Sequence, residues 1–228
     1  MYRERPAGVA GATLWTSSAP GAARTTRVLP DGCMDLLWSS RAGLLVAGPD
    51  RTAQVSVSGP GERWVGLRLP PGVGPAVFGV PADELRDSRV PLAALWGDRA
   101  VADLVEQAAA DAESVLPALA AGRLRAAGGP DRVAARVAAT AAAGAGVAAI
   151  AADVGLDPRA LHRRCRRLFG YGPKTLARIL RMRRALALAR AGTPLAEVAA
   201  TCGYADQAHF SRDVRALAGV PPTAVLSA

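Results

Sequence analysis

The chain repeats itself, and the repeat confines its C-terminal part to one kind of architecture. Residues 147–155 (VAAIAADVG) are followed by Leu156-Asp157 and then by 158–163 (PRALHR). Residues 195–203 (LAEVAATCG) are followed by Tyr204-Ala205-Asp206 and then by 207–212 (QAHFSR). Gly155 and Gly203 stand 48 apart, whereas Leu161 and Phe210, Arg163 and Arg212, Gly170 and Gly219, and Pro173 and Pro222 stand 49 apart. The second copy therefore carries one extra residue in its turn. Each copy reads as a short helix, a glycine that ends it in a left-handed conformation, a tight turn, and an aspartate (Asp157 or Asp206) placed to cap the next helix. The small side chains Ala148, Ala151 and Ala152, and in the other copy Ala196, Ala199 and Ala200, are expected to let two helices approach closely. In the second helix of each copy the apolar positions (Leu161 and Leu168; Phe210, Val214 and Leu217) are expected to face inward. The polar ones (Arg159, His162, Arg163 and Arg166; Gln207, Ala208, Ser211 and Arg212) are expected to face out.

The charge is distributed as unevenly as the repeat. The net +9 of the 228 residues lies wholly after residue 126, because the first 126 hold 13 arginines against 13 acidic residues. Between Pro158 and Ala196 there are eleven basic residues and no Asp or Glu. A GC-rich genome explains arginine in place of lysine (Lys174 is the single lysine), but not the loss of acidic partners from one half. This is the footprint of a polyanion partner.

Helical segments are expected over 131–143, 147–154, 158–169, 173–191, 195–201 and 205–217, with short breaks that carry Gly or Pro. Upstream, 25–78 reads as β-rich: apolar pieces at 33–38, 44–47, 55–57, 64–69 and 77–80 alternate with turn signals such as Pro30-Asp31-Gly32 and Gly48-Pro49-Asp50. Short strands at that spacing suggest a small barrel or sandwich. From Pro81 the pattern turns helical, with helices over 98–111 and 114–125, and Leu95, Val101, Leu104 and Val105 form a stripe that suits a core better than a dimer surface. Gly128-Gly129-Pro130 reads as a hinge. The fold class is thus α+β: a small β-barrel domain with helices over 1–127, and an all-α domain with two helix-turn-helix motifs joined by a long helix over 128–228.

Residues 147–225 resemble the DNA-binding domain of the AraC/XylS transcription regulators. The most specific stretch is Gly203-Tyr204-Ala205-Asp206-Gln207-Ala208-His209-Phe210-Ser211-Arg212, followed by Gly219-Val220-Pro221-Pro222. Cys165 and Val214 depart from the pattern, standing where that family usually has a core Phe. The resemblance implies two recognition helices in successive major grooves on one face of double-stranded DNA. It implies base-facing roles for Arg159, His162 and Arg163 in the first, and for Gln207, Ala208, His209 and Arg212, with Ser211 beside them, in the second. The residue types suit this, since Arg can bridge guanine O6 and N7 and Gln can do so for adenine. Arg164, Arg166, Arg167, Lys174 and Arg178 are placed for phosphates.

The N-terminal part also resembles a known domain. Residues 28–38 (VLPDGCMDLLW), Ala47-Gly48-Pro49, 65–70 (VGLRLP), 78–82 (FGVPA), Leu92 and Leu95-Trp96-Gly97 are similar to an uncharacterised cupin-like domain of some AraC-type regulators. That resemblance implies sensing of a small-molecule effector or homodimerisation, with RNA polymerase as a further partner of an activator. No metal and no cofactor are expected, because His162 and His209 are the only histidines and no ligand set surrounds them. No catalytic residues are expected either: Cys33 lacks a general base and reads as a small buried side chain. Trp15, Trp38, Trp64 and Trp96 suit a core, or the wall of a ligand pocket.

Cys33, Cys165 and Cys202 form no C-x-x-C pair and indicate a reducing compartment. The first residues, with Arg3, Glu4 and Arg5, do not form a secretory signal, and no apolar run reaches membrane-spanning length. A bacterial cytoplasmic protein, at the nucleoid when bound to DNA and not at a membrane, is expected. Three functions stay open: an effector-responsive, sequence-specific regulator, a nonspecific architectural DNA binder, or a cupin-type enzyme with a DNA-localising tail.

Overall fold

The computed structural model describes residues 2–19 and 21–227. The N-terminal part holds the strands β1 (Tyr2–Pro6), β2 (Thr13–Ser18), β3 (Arg24–Val28), β4 (Met34–Ser39), β5 (Gly43–Ala47), β6 (Gln54–Ser58), β7 (Arg63–Leu69) and β8 (Arg89–Pro91). Six of them form an antiparallel sheet in the order β1-β2-β7-β4-β5-β8, and β3 and β6 form a separate two-stranded ribbon. Helix α1 (Gly74–Phe78), a 3-10 turn (Ala82–Glu84), α2 (Ala93–Trp96) and α3 (Asp98–Ala126) complete this part.

The register explains the core. Leu14 pairs with Leu67, Leu67 with Leu36, Leu36 with Val46 and Val46 with Val90, so one cross-strand row of aliphatic side chains runs over five strands. Such rows are the unit of sheet stabilisation. Helix α3 covers this face through Val101, Ala108, Ala112, Leu116, Ala120 and Leu124. On the opposite face Trp15 lies across Gly66, where a Cβ would come within 2.2 Å of its ring, which accounts for the glycine in mid-strand.

The expected strand at 77–80 is instead the end of α1. Its apolar run is too short to distinguish strand from helix by period, and burial decides: Val77 and Phe78 sit beneath α3, their carbonyls taking bonds from Arg123 Nε (3.0 Å) and Trp96 Nε1 (2.8 Å). The β-structure also starts earlier than residue 25, at Tyr2. Strand β1 is exposed along its length and has no apolar alternation to betray it. The two helices expected at 98–111 and 114–125 form one kinked helix, with non-helical dihedrals at Asp111, whose carboxylate caps the second half through Ser114 N–H (3.2 Å). Leu104 packs on the core as expected.

The C-terminal part is helical: α4 (Arg132–Ala142), α5 (Val147–Asp153), α6 (Pro158–Phe169), α7 (Pro173–Arg190), α8 (Leu195–Thr201), α9 (Gln207–Ala218) and α10 (Pro222–Leu226). The repeat extends further upstream than the sequence motif. Helix α4 corresponds to the second half of α7, with Ala134 and Met182, Val137 and Ala185, and Gly144 and Gly192 all 48 apart. The first two pairs are buried, and both glycines are left-handed at φ 91° and 95°. Arg136 of α4 pairs with Asp153 at the end of α5, while Arg184, its counterpart, donates to the Thr201 carbonyl at the end of α8 (2.9 Å). Each copy is therefore a three-helix unit, and α7 serves both as the connection and as the first helix of the second unit.

The small-residue packing is narrower than expected. Only Ala151 and Ala199 are buried, beside Ile150 and Val198, while Ala148, Ala152, Ala196 and Ala200 are exposed. A short helix with one apolar stripe turns every third or fourth residue inward, not every small one.

Candidate nucleic-acid interface

Local chemistry sets the start of each recognition helix. Asp157 caps α6, its Oδ1 accepting from the backbone N–H groups of Arg159 and Ala160 at 2.9 Å. Those amides hold the Asp157 carboxyl below the usual carboxylate range. Asp206 caps α9 through the N–H of His209 (2.6 Å), and His209 Nδ1 in turn accepts from the N–H of Ala205 (3.2 Å). That reciprocal arrangement satisfies one orphan donor of the helix start and ties the preceding turn to it. The extra turn residue lets Tyr204 point inward, where its ring meets His209 edge-on at 5.2 Å.

Beneath the helices the two copies are anchored alike. Leu161, Cys165 and Phe169 are buried under α6, and Phe210, Val214, Leu217 and Ala218 under α9. Cys165 and Val214, the two departures from the family pattern, thus still supply apolar core, and burial pushes the Cys165 thiol up to about 12. The repeat position shared by Arg164 and Asp213 ties each recognition helix to its own first helix, with the polarity reversed. Arg164 bonds Asp131, which also caps α4 (2.7 Å). Asp213, 7% exposed, accepts from Arg178 and Arg181 of α7 and from the Tyr204 hydroxyl at 3.1 Å. Arg181 also lies over the Tyr204 ring at 4.1 Å. This network escaped the sequence reading, although one acid inside an otherwise basic recognition helix was a usable signal.

The outward faces differ in how far their charges are engaged. Arg159, His162, Arg163, Arg164, Arg166, Arg167, Lys174, Gln207, Ala208 and Arg212 are exposed, while His209 and Ser211 are half-buried. Among the described residues, Arg159, Arg163, Arg167, Lys174 and Arg212 have no ion pair within 4.0 Å. Arg164 and Arg178 are spent on the internal pairs just described, and Arg166 on Asp83 of the N-terminal part (2.9 Å). The ring of His162 folds over Gly172, where a Cβ would lie 2.7 Å from its Nε2. The acidic partners missing from 158–196 are thus supplied to some arginines by distant segments and withheld from others. What remains is two helix faces that offer unpaired guanidinium groups at Arg163 and Arg212, the equivalent positions of the repeat, a form suited to base edges and phosphates.

The N-terminal part offers no comparable cluster. Burial pushes the Cys33 thiol well up, and the neighbouring carboxylates of Asp31 and Asp35 push it further, the opposite of an activated nucleophile. Among the described residues no group of three His, Cys, Asp or Glu is placed to hold a metal ion, and no helix is long and apolar enough to cross a membrane.

Comparison with known proteins agrees with this geometry. Residues 150–228 match the family described as a helix-turn-helix domain, and residues 12–91 match a family described as a domain of unknown function. No curated protein matches the chain. Among solved structures, a probable AraC family transcriptional regulator from Rhodopseudomonas palustris CGA009 is 25% identical over 42% of this chain and 96% of its own, with a TM-score of 0.37. A DNA-binding transcriptional dual regulator from Escherichia coli K-12 is 26% identical over 43% of this chain and 91% of its own, with a TM-score of 0.38. ToxT from Vibrio cholerae O395, in complex with (E)-4-(8-methylnaphthalen-1-yl)but-3-enoic acid, is 11% identical over 99% of this chain and 98% of its own, with a TM-score of 0.51, and shares the fold across both parts. Fold and site together define a DNA-binding protein of the helix-turn-helix class. Its C-terminal domain, over residues 150–228, is a helix-turn-helix domain, and a second, β-rich domain stands in front of it.

Proposed function

We propose that this chain is a sequence-specific regulator whose two recognition helices, α6 and α9, enter successive major grooves on one face of promoter DNA. The observation that carries this reading is the equivalence of Arg163 and Arg212, exposed and, among the described residues, without ion pairs on matching faces of a duplicated three-helix unit. Arg159, His162 and Arg163, with Gln207, Ala208, Ser211 and Arg212, read base edges. Arg167 and Lys174 hold phosphates, and His209 offers its Nε2 while its Nδ1 serves the helix cap. Arg164 contributes by fixing α6 on α4. Residues 128–228 form the DNA-binding domain and 1–127 the sensing or dimerisation domain; the protein binds rather than catalyses.

Effector response belongs to the same proposal. ToxT, similar in fold, is known bound to an organic acid. Here a groove of about 520 Å³ between the domains, lined by Gly72, Pro75, Ala76, Asp131, Arg164 and Leu168, is where a ligand would touch both the hinge and the anchor of α6. Such a ligand acts only by favouring one domain arrangement over another. The deciding experiment is competition: labelled duplex from the region upstream of the regulated gene, challenged with unlabelled duplex of the same or shuffled sequence. A regulator prefers its own site by about three orders of magnitude or more. Equal competition by both duplexes would leave a nonspecific architectural binder.

A further inference from the structure

The N-terminal domain grips the C-terminal end of both recognition helices, each time with an arginine on a terminal carbonyl, and at α6 with a carboxylate as well. At α6, Arg86 donates to the Gly170 carbonyl (3.0 Å), Pro49 packs where a Cβ on Gly170 would come within 2.5 Å, and Asp83 pairs with Arg166 (2.9 Å). At α9, Arg27 of the ribbon donates to the Ala218 carbonyl (3.0 Å) and Ala53 N–H to that of Leu217 (2.7 Å). Gly170 and Gly219 are equivalent in the repeat, and so are Arg166 and Arg215. Arg166 continues the face of Arg159 and Arg163, at i+7 and i+3, yet its guanidinium is held by a carboxylate. Arg215 is exposed and has no ion pair among the described residues, and the N-terminal side chain that grips the end of α9 is the cation Arg27.

We infer that Asp83 stands in for a DNA phosphate on Arg166, so that this arginine of the first recognition helix is occupied while its counterpart Arg215 in the second is not, and the two copies engage their half-sites unequally. The inference rests on the reading that the outward face of α6 meets DNA. A carboxylate and a phosphate are alternative anionic acceptors for the same guanidinium. The Asp83–Arg166 pair must open before Arg166 can reach the backbone. Asp83 and the exposed Glu84 beside it also lie at the end of a face that a polyanion has to approach, where like charge opposes it.

The test uses the full chain and one upstream duplex, titrated by fluorescence anisotropy between about 50 and 200 mM salt. Asp83→Asn is expected to tighten binding about three- to tenfold and to steepen the slope of log K against log salt by about one phosphate contact. Hydroxyl-radical protection should extend over the half-site of the first copy. Asp83→Glu, which keeps the carboxylate, should bind as the parent does, and Asp83→Asn should gain nothing in an Arg166→Ala background. If the parent binds and Asp83→Asn matches it in affinity and slope, the inference falls while the DNA reading stands. A gain that persists without Arg166 also overturns it, since the effect would then come from loosened domains. If neither the parent nor the variant binds any duplex, the DNA reading itself fails and this inference with it.

Discussion

At the scale of single residues, what matters is which charges have partners. Among the described residues, Arg163 and Arg212 have no ion pair within 4.0 Å. Arg163→Ala or Arg212→Ala should each cost about 1–3 kcal/mol at one base position and relax specificity there. Binding-site selection checks this: base preference unchanged from the parent would remove these two residues from the interface. A different behaviour is expected of Asp35. Burial raises its carboxyl from 3.8 to about 6, against the pull of Arg68 and of the Trp15 N–H bonded to it at 3.0 Å. A raised carboxylate value means the folded state holds its proton more tightly than the unfolded chain does. Stability from this group is therefore full below about pH 4 and is lost as pH rises through about 6. Asp35→Asn should flatten that part of the stability–pH curve, measured by urea unfolding between pH 4 and 8. A parent curve that rises over this interval in step with loss of the Asp35 proton would contradict the assignment. Residue types and their spacing were readable before the fold. Their engagement was not: Arg164 and Arg178 suit phosphates by position, and only packing reveals Asp131 and Asp213 beside them.

Elements were legible in proportion to how local their causes are. Helix α6 begins and ends where its Asp157 cap and Gly170 put it, α8 matches expectation between Pro194 and Gly203, and α5 and α7 differ from expectation by one residue. Helix α1 was missed because burial beneath α3, not local pattern, fixes it, and strand β1 because pairing with β2 holds an exposed strand that has no apolar alternation. The upstream extension of the repeat through α4 was hidden as well. Its equivalences with α7 are small buried side chains that vary in identity, such as Ala134 and Met182. The functional unit at this scale is a recognition helix tied to its first helix by one ion pair. Asp213→Asn removes the negative charge, and one of the two acceptor oxygens, shared by Arg178, Arg181 and Tyr204. Because both arginines keep some access to water, the cost should be about 1–3 kcal/mol, below that of a fully buried broken pair. A shift in the urea midpoint measures it, and footprint loss is expected only over the half-site of the second copy. Unchanged stability would mean that hydrophobic packing alone holds α9.

For the whole molecule, the buried apolar residues fall into two cores, one from Ala12 to Leu124 and one from Ala134 to Val225. A fragment of residues 129–228 should therefore fold and bind duplex DNA, with log affinity falling linearly as log salt rises. Anisotropy over the same salt range tests this, and a flat response would contradict the electrostatic argument. The sequence by itself determined the duplicated helix-turn-helix, its caps, its inward faces and the sign of its surface. Those depend on spacing within a few residues and on composition, which survive in one dimension. The tertiary structure decided which arginines stay unpaired and where the β-rich domain seizes the recognition helices. Arg166 meets Asp83 across 83 residues of chain, and Arg27 meets Ala218 across 191. Such meetings follow from how two cores dock, and no local pattern encodes them.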